Sequence, residues 1–332
     1  MKPWERSLVR SIKTSDMDPH ISSMILFAAA TTWLKPLWLV AAAVAIALTV
    51  LFGANVLLRW VAPKVAAIAW TTSKEGTSQP LFYVLLALGV FLLILFPFVP
   101  YNTFGEDVKV VKDAGLTLIM VLSLAMALWT ASSSVADEIE GRIALTVLSK
   151  PIGRRQYIIG KFLGILRPVA IMFIVLGALF LATVSYKVVY DARETSLPDP
   201  TTLDCLKEIE QIIPGLVLAF MEAVVLSAIS VALATRLPMV PNLILCASIY
   251  VLGHLMPTLV AAASRQFEIP YFVAQLLATV LPMLETFNIY TAISTGKDVP
   301  LQYLGWAAFY CLLYTAVAML LALLLFEDRD LA

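Results

Sequence analysis

Three ionisable side chains stand where such groups are costly. Glu222, Arg167 and His254 all fall within long apolar runs. A protonatable group at membrane depth ordinarily faces a bundle interior or a water-filled cavity, where it pairs, relays protons or lines the path of a polar solute. Glu222 lies well inside its run and is the sharpest candidate for a translocation path. The competing reading is a carboxyl paired with a neighbouring helix, through Arg167 or a hydroxyl. Arg167 sits near the end of its run and can snorkel, and His254 has the character of an interhelical hydrogen-bonder. Enzymatic groupings are absent. The nearest approach to a phosphate loop, Gly153 to Gly160-Lys161, has the wrong spacing and continues into Phe162. No Ser-His-Asp, His-Glu-x-x-His, Cys-His or Gly-x-Ser-x-Gly arrangement is present. The two histidines, His20 and His254, and the three cysteines, Cys205, Cys246 and Cys311, suggest neither a metal centre nor a disulfide framework. The chain reads as a non-enzyme that binds no cofactor of its own, which leaves transport, signalling or scaffolding.

The elements that would hold these residues are membrane helices. Of the 332 residues 61% are apolar and only 14% charged, the composition of an integral membrane protein. No basic aromatic surface suggests nucleic acid. Runs of the ~20 apolar residues needed to cross the hydrocarbon occupy 36–59, 80–100, 114–136, 162–186, 214–235, 239–262 and 303–326. The apolar stretch 21–34 is too short. Ala28-Ala29-Ala30 loosely resembles a signal-peptide cleavage region, but a longer apolar run follows at once. Residues 60–79, with Val61, Val65 and Ile68 at helical spacing beside Trp60, Trp70 and several lysines, predict a helix in the membrane interface. Residues 102–113 read as a short charged turn. Pro200-Thr201-Thr202 marks a helix start, and Leu203, Leu206, Ile209 and Ile213 an apolar face behind it. The run 270–284, broken by Pro282, predicts one or two short external or re-entrant helices.

The one strongly charged segment in the middle of the chain is 137–164, DEIEGRIALTVLSKPIGRRQYIIGKFLG. Its carboxylates Asp137, Glu138 and Glu140 precede an apolar turn containing Leu145 and Leu148. Pro151 cannot continue a preceding helix, so two short helices at an angle are predicted. Glu138 precedes Arg142 by four residues, the favourable order for a same-face pair. Arg154 and Arg155 fall in the first turn of the second helix, where they oppose its dipole. They therefore call for anionic headgroups, the carboxylates at 137–140 or an acidic partner. The basic residues of 137–167 place this segment in the cytoplasm by the positive-inside rule. Counting spans outward then puts 102–113, 187–213 and 263–302 outside, and 60–79 and the C-terminus inside. The topology of residues 1–60 stays open, because parity puts a basic N-terminus outside unless 21–34 folds back.

Glu-x-Glu-Gly-Arg, Leu-Ser-Lys-Pro-Ile, Arg-Arg-Gln-Tyr and Gly-Lys-Phe-Leu-Gly, in that order, resemble the cytoplasmic coupling segment of ABC-2-type transporter permeases. Looser likenesses are Ala69 to Glu75, Leu281 to Asn288 and Leu325 to Asp330, so the resemblance covers roughly Val65 to the C-terminus. It implies an all-α polytopic protein with a six-span core in 61–332 and an extra N-terminal transmembrane segment in 1–60. It also implies a coupling helix at 141–148, with 149–160 returning the chain to the membrane. The residues facing a separate ATPase subunit would be Glu138, Glu140, Gly141, Arg142, Leu145, Leu148, Pro151, Arg154, Arg155 and Lys161. ATP and magnesium would sit on that partner. A homodimer, or a heterodimer with a second permease, would form an export pathway in the plasma membrane, in contact with membrane lipid. The alternatives are an ATPase-independent secondary transporter or channel, for which inverted repeats and broken helices are wanting, and a membrane scaffold acting on an external partner.

Overall fold

Long apolar runs can satisfy their backbone groups inside a bilayer only as helices or as a closed barrel, and this chain takes the helical solution. The computed structural model describes residues 32–99, 101, 106–136, 138, 153–194, 200–262, 268–289, 292–293 and 296–327. In chain order the helices are α1 (Leu37–Val61), α2 (Pro63–Ser78), α3 (Pro80–Leu95), α4 (Asp107–Ala131), α5 (Arg154–Glu194), α6 (Thr202–Glu210), α7 (Ile213–Ala234), α8 (Met239–Ala262), α9 (Glu268–Val280) and α10 (Leu301–Glu327). No strand occurs among the described residues. Among the described residues seven helical stretches are long and apolar enough to cross a membrane. The molecule is an all-α, multi-pass membrane protein.

Several boundaries differ from those read in the sequence. Residues 107–113 are not a turn but the opening of α4. Their charges are compatible with a helix because neighbours neutralise them: Lys112 pairs with Glu208, and Asp107 receives Lys187 at 3.4 Å. At the far end α4 runs into a π-helical turn, Ser132–Ala136. The short helix expected after Pro151 and the span expected at 162–186 are one element, the 41 residues of α5. At 1.5 Å per residue it is roughly 60 Å long, about twice the hydrocarbon thickness. Pro168 lies within it and removes a single rung of its ladder.

Residues 63–78 of the expected interfacial stretch form a helix, and its apolar face has a partner in the protein. The chain breaks at Ala62 (φ −141°, ψ 74°), because Pro63 biases its predecessor away from helical angles and then serves as the first residue of α2. The buried face of α2 comprises Val65, Ala66, Ile68, Ala69, Thr72, Ser73 and Gly76. It packs on α5 rather than on lipid, and Val61 belongs to the exposed end of α1. The fit depends on two glycines one turn apart. A Cβ on Gly160 would stand 2.7 Å from Ile68 Cβ, and one on Gly164 would stand 2.9 Å from the Ala69 carbonyl oxygen.

α7 forms the middle of the bundle, with α4, α5, α8 and α10 around it. Leu218, Ala223, Leu226 and Val231 from α7 are fully buried with Ile119 and Met126 of α4 and Leu176 and Phe180 of α5. α10 turns Trp306, Phe309, Leu312 and Leu324 outward, and α1 exposes Phe52 and Leu57, the apolar exterior a bilayer requires. On α6 the expected start is present as a capping box: Asp204 N–H donates to Thr201 Oγ1, and Asp204 Oδ2 accepts from Thr201 N–H. The buried face of α6 is Cys205 and Ile209, whereas Leu203 is exposed, so that part of the expected apolar face is corrected.

Substituting Gly164→Val drives two methyl groups into the α2 backbone, which cannot retreat as a side-chain end would. Thermal unfolding of the purified protein should show a loss of about 2 kcal/mol. Gly153→Val, at a position with nothing within 4 Å, should leave the melting temperature unchanged.

Candidate functional site

Two groups of polar side chains interrupt the apolar bundle. The first lies where α4 ends and α5 begins. Tyr157 and Lys161 are four residues apart and so share a face of α5. Both address Glu138: Tyr157 Oη donates to Oε2 at 2.7 Å and Lys161 Nζ to Oε1 at 2.6 Å. Lys161 is buried, and Glu138 is nearly so. Tyr157 stacks on Phe326 of α10, with ring centroids 5.7 Å apart. Glu75, on α2, has its carboxyl raised above the usual range by partial burial and by Glu138, with Lys161 opposing. A carboxylate–phenol–ammonium cluster thus fixes the point from which the chain leaves α4.

The sequence expected Glu138 to pair with Arg142. Arg142 lies outside the described residues, and among these Glu138 meets Lys161 and Tyr157. Glu140, Gly141, Arg142, Leu145, Leu148 and Pro151, with the proposed helix 141–148, lie outside the described residues. Arg154 is the first residue of α5, and its guanidinium donates to the carbonyl of Glu327 at 2.8 Å. The cation that opposes the dipole of α5 is therefore answered by the carbonyl end of α10. Arg155 is exposed. It lines a cleft of about 570 Å³ with Lys64, Arg154, Gln156 and Glu327.

The π turn that leads into this region is held by a network the sequence did not reveal. Asn242, fully buried on α8, donates to Ser132 Oγ at 2.9 Å and to Ser230 Oγ at 3.1 Å. Gln79 reaches Ser133 Oγ at 3.1 Å. Ser132 and Ser133 thus accept directed side-chain bonds from two other helical segments. The spacing of Tyr157 to Lys161 could have flagged Tyr157, whereas Asn242 meets partners 110 and 12 residues away and left no local signal.

The second group lies against α7. Glu222 Oε1 is 3.4 Å from Nε2 of His254 on α8. His254 Nδ1 stands 3.2 Å from the Tyr250 carbonyl, an acceptor that it can satisfy in the tautomer protonated at Nδ1. Both residues line a cavity of about 400 Å³ with Asp113, Tyr250, Phe287 and Asn288. Arg167 does not join them. Its guanidinium lies over the Trp70 ring at 4.3 Å from the centroid, with Arg59 on the same ring at 5.5 Å. Of the three candidates for a translocation path, the fold brings two together and places the third elsewhere. Opposite this cavity, tyrosines of α10 clasp the segment after α9. Tyr310 Oη accepts from Met283 N–H at 2.9 Å, Tyr303 Oη donates to the Thr286 carbonyl at 2.6 Å, and Tyr314 Oη donates to that of Val280 at 2.9 Å.

Comparison of the chain with models of known protein families and with curated proteins returned no match.

Removing one member of the Glu138–Lys161 pair leaves a buried charge uncompensated, whereas removing both does not. Lys161→Met should cost about 3 kcal/mol in thermal or denaturant unfolding. Adding Glu138→Gln should recover most of that loss, because Tyr157 retains an acceptor.

Proposed function

We propose that this protein is the membrane subunit of an ATP-driven transporter of the ABC-2 permease type, working with a separate ATPase. The observation that carries the reading is the ordered run of residues across 137–164 that resembles the coupling segment of that family. Its position supports the same reading, since the segment joins α4 to α5, two of the helices that pack on central α7. Glu138, Tyr157 and Lys161 anchor its root, and Arg154 ties its return to the end of α10. A push on residues 141–148 would therefore be delivered to three helices at once rather than dissipated in a loop.

In this reading the chain hydrolyses no ATP itself. ATP and magnesium belong to the partner, and the segment from Glu138 and Glu140 through Leu145 and Leu148 to Arg154 and Arg155 meets it. Two copies, or one copy and a paralogous permease, face each other in the plasma membrane, with the segment and the C-terminus in the cytoplasm. Export is the direction the resemblance favours. Glu222 and His254 line the pathway, while Arg167 has a structural role on Trp70.

Affinity purification of the tagged chain, expressed with neighbouring gene products, should bring down a nucleotide-binding ATPase. Leu145→Asp, which puts a charge on the apolar face of the coupling helix, should abolish that capture while the membrane protein stays folded and monodisperse. Capture of no ATPase by the wild type, or full capture by Leu145→Asp, would sink the reading in favour of an ATPase-independent carrier.

A further inference from the structure

The lysines that this fold buries are each met by a carboxylate. Lys112 is held by Glu208 and by Gln211 Oε1, Lys187 by Asp107, and Lys161 by Glu138. The cavity beside α7 breaks the pattern. Asp113 from α4 and Glu222 from α7 both line it, and no lysine or arginine does among the described residues. Glu222 is only 4% exposed, and its Oε1 has no hydrogen-bond partner there. The nearest basic atom, His254 Nε2, is at ion-pair distance but not aligned as a hydrogen bond.

The tautomer fixes the charge of this pair. In the tautomer of His254 protonated at Nδ1, Nε2 of the neutral ring presents a lone pair to Glu222. At 3.4 Å the two atoms face each other without repulsion only when the pair holds one proton, on one residue or the other. The pair then sums to zero, and Asp113 leaves the cavity with net negative charge. Glu285, bonded to Asn288 at 3.2 Å, adds to that charge from the rim. The walls include the aromatic rings of Tyr250 and Phe287, whose faces attract cations. A space of about 400 Å³ is of the size that encloses a small molecule.

We propose that this cavity is a binding site for a small organic cation of the alkylammonium class, with Glu222 as its counter-ion. The ammonium takes the place of the proton that Glu222 and His254 share. That proton leaves to solvent, Glu222 remains a carboxylate and the His254 ring is left neutral. One positive charge enters and one departs, so binding is opposed by acid. The groups that face Glu222 are Asp113 from α4, His254 and Tyr250 from α8, and Glu285 from the turn Leu284–Phe287. Lys112, next to Asp113, is turned to Glu208. α10 contributes Cys311, whose thiol is directed at the Met221 carbonyl, and α5 packs on α7 with Phe173 against Phe220. The inference names a solute class for the proposed pathway and rests on that reading only for the solute's travel, since equilibrium binding needs no ATPase.

The test is calorimetric titration of the full chain in lipid nanodiscs with tetraethylammonium, in two buffers of different ionisation enthalpy. Saturable binding with net proton release is expected at about pH 7.5, and one proton released per cation bound weakens binding about tenfold for each unit by which the pH is lowered. Glu222→Gln should weaken binding at least about tenfold and abolish the proton release. The uncharged analogue 3-ethyl-3-pentanol should not compete. Absence of saturable binding to the wild type, equal affinity in Glu222→Gln, or displacement by the neutral alcohol would overturn the proposal. Should Glu222→Gln fail to give a monodisperse particle, Asp113→Asn decides at a partly exposed position: weakened binding supports the site and unchanged binding refutes it. Loss of the cation with ATPase capture intact removes this site alone, and the converse result removes the ATPase reading alone.

Discussion

The contact between α2 and α5 is the constraint on which the charged end of the bundle depends. Within lipid no hydrophobic force distinguishes one apolar helix from another, so close association needs small residues that let backbones approach. Gly160 and Gly164 provide that approach, with the backbone and Cβ atoms of α2 standing where side chains would otherwise be. The same stretch of α5 carries Tyr157 and Lys161. The depth to which α2 seats therefore governs the position of Glu75 relative to the Glu138 cluster. Further along, the ring of Pro168 approaches the space over Gly76, which extends the contact by another turn. Steric fit comes first, and the electrostatics are arranged upon it.

That order accounts for the two ways in which the fold handles charge. Toward one end Lys161 closes on Glu138, and elsewhere Lys112 and Lys187 close on Glu208 and Asp107. These pairs join different elements and hold the bundle in register. Beside α7 the carboxylates outnumber the basic groups, and an open volume of about 400 Å³ remains. Satisfied pairs suit a scaffold, while an unsatisfied carboxyl next to a cavity suits an occupant that comes and goes.

The architecture was legible because hydropathy is a local property. Runs of apolar residues located the spans, although α4 and α5 extend seven or eight residues beyond them, and Pro200-Thr201-Thr202 marked the start of α6 because capping chemistry is encoded in adjacent positions. What was not legible was whatever a distant partner decides. Residues 107–113 looked like a turn because their charges suggested solvent, and only Glu208 and Lys187, from other helices, make them compatible with α4. The apolar face of α2 was visible in the sequence, but whether it would meet lipid or protein depended on two glycines some 90 residues later (Gly160 and Gly164 against Ile68 and Ala69). Glu222 was singled out by its depth alone. Its partner was not: the sequence suggested Arg167 or a hydroxyl, whereas the fold sets His254 beside Glu222 and lays the arginine over Trp70.

The length of α5 gives the protein a mechanical property. An unbroken helix of 41 residues is stiff along its axis, so it behaves as a lever rather than as a tether. Tilting such a rod by about 5° about Pro168 carries the tip of its longer arm, roughly 40 Å away, through roughly 3 Å. The fulcrum is defined by Pro168, where the ladder lacks a rung and the ring bears on α2 near Gly76. With fifteen residues on one arm, from Arg154 to Pro168, and the remainder on the other, a small stroke at the short arm is enlarged at the long one. The geometry is that of a gear favouring displacement over force.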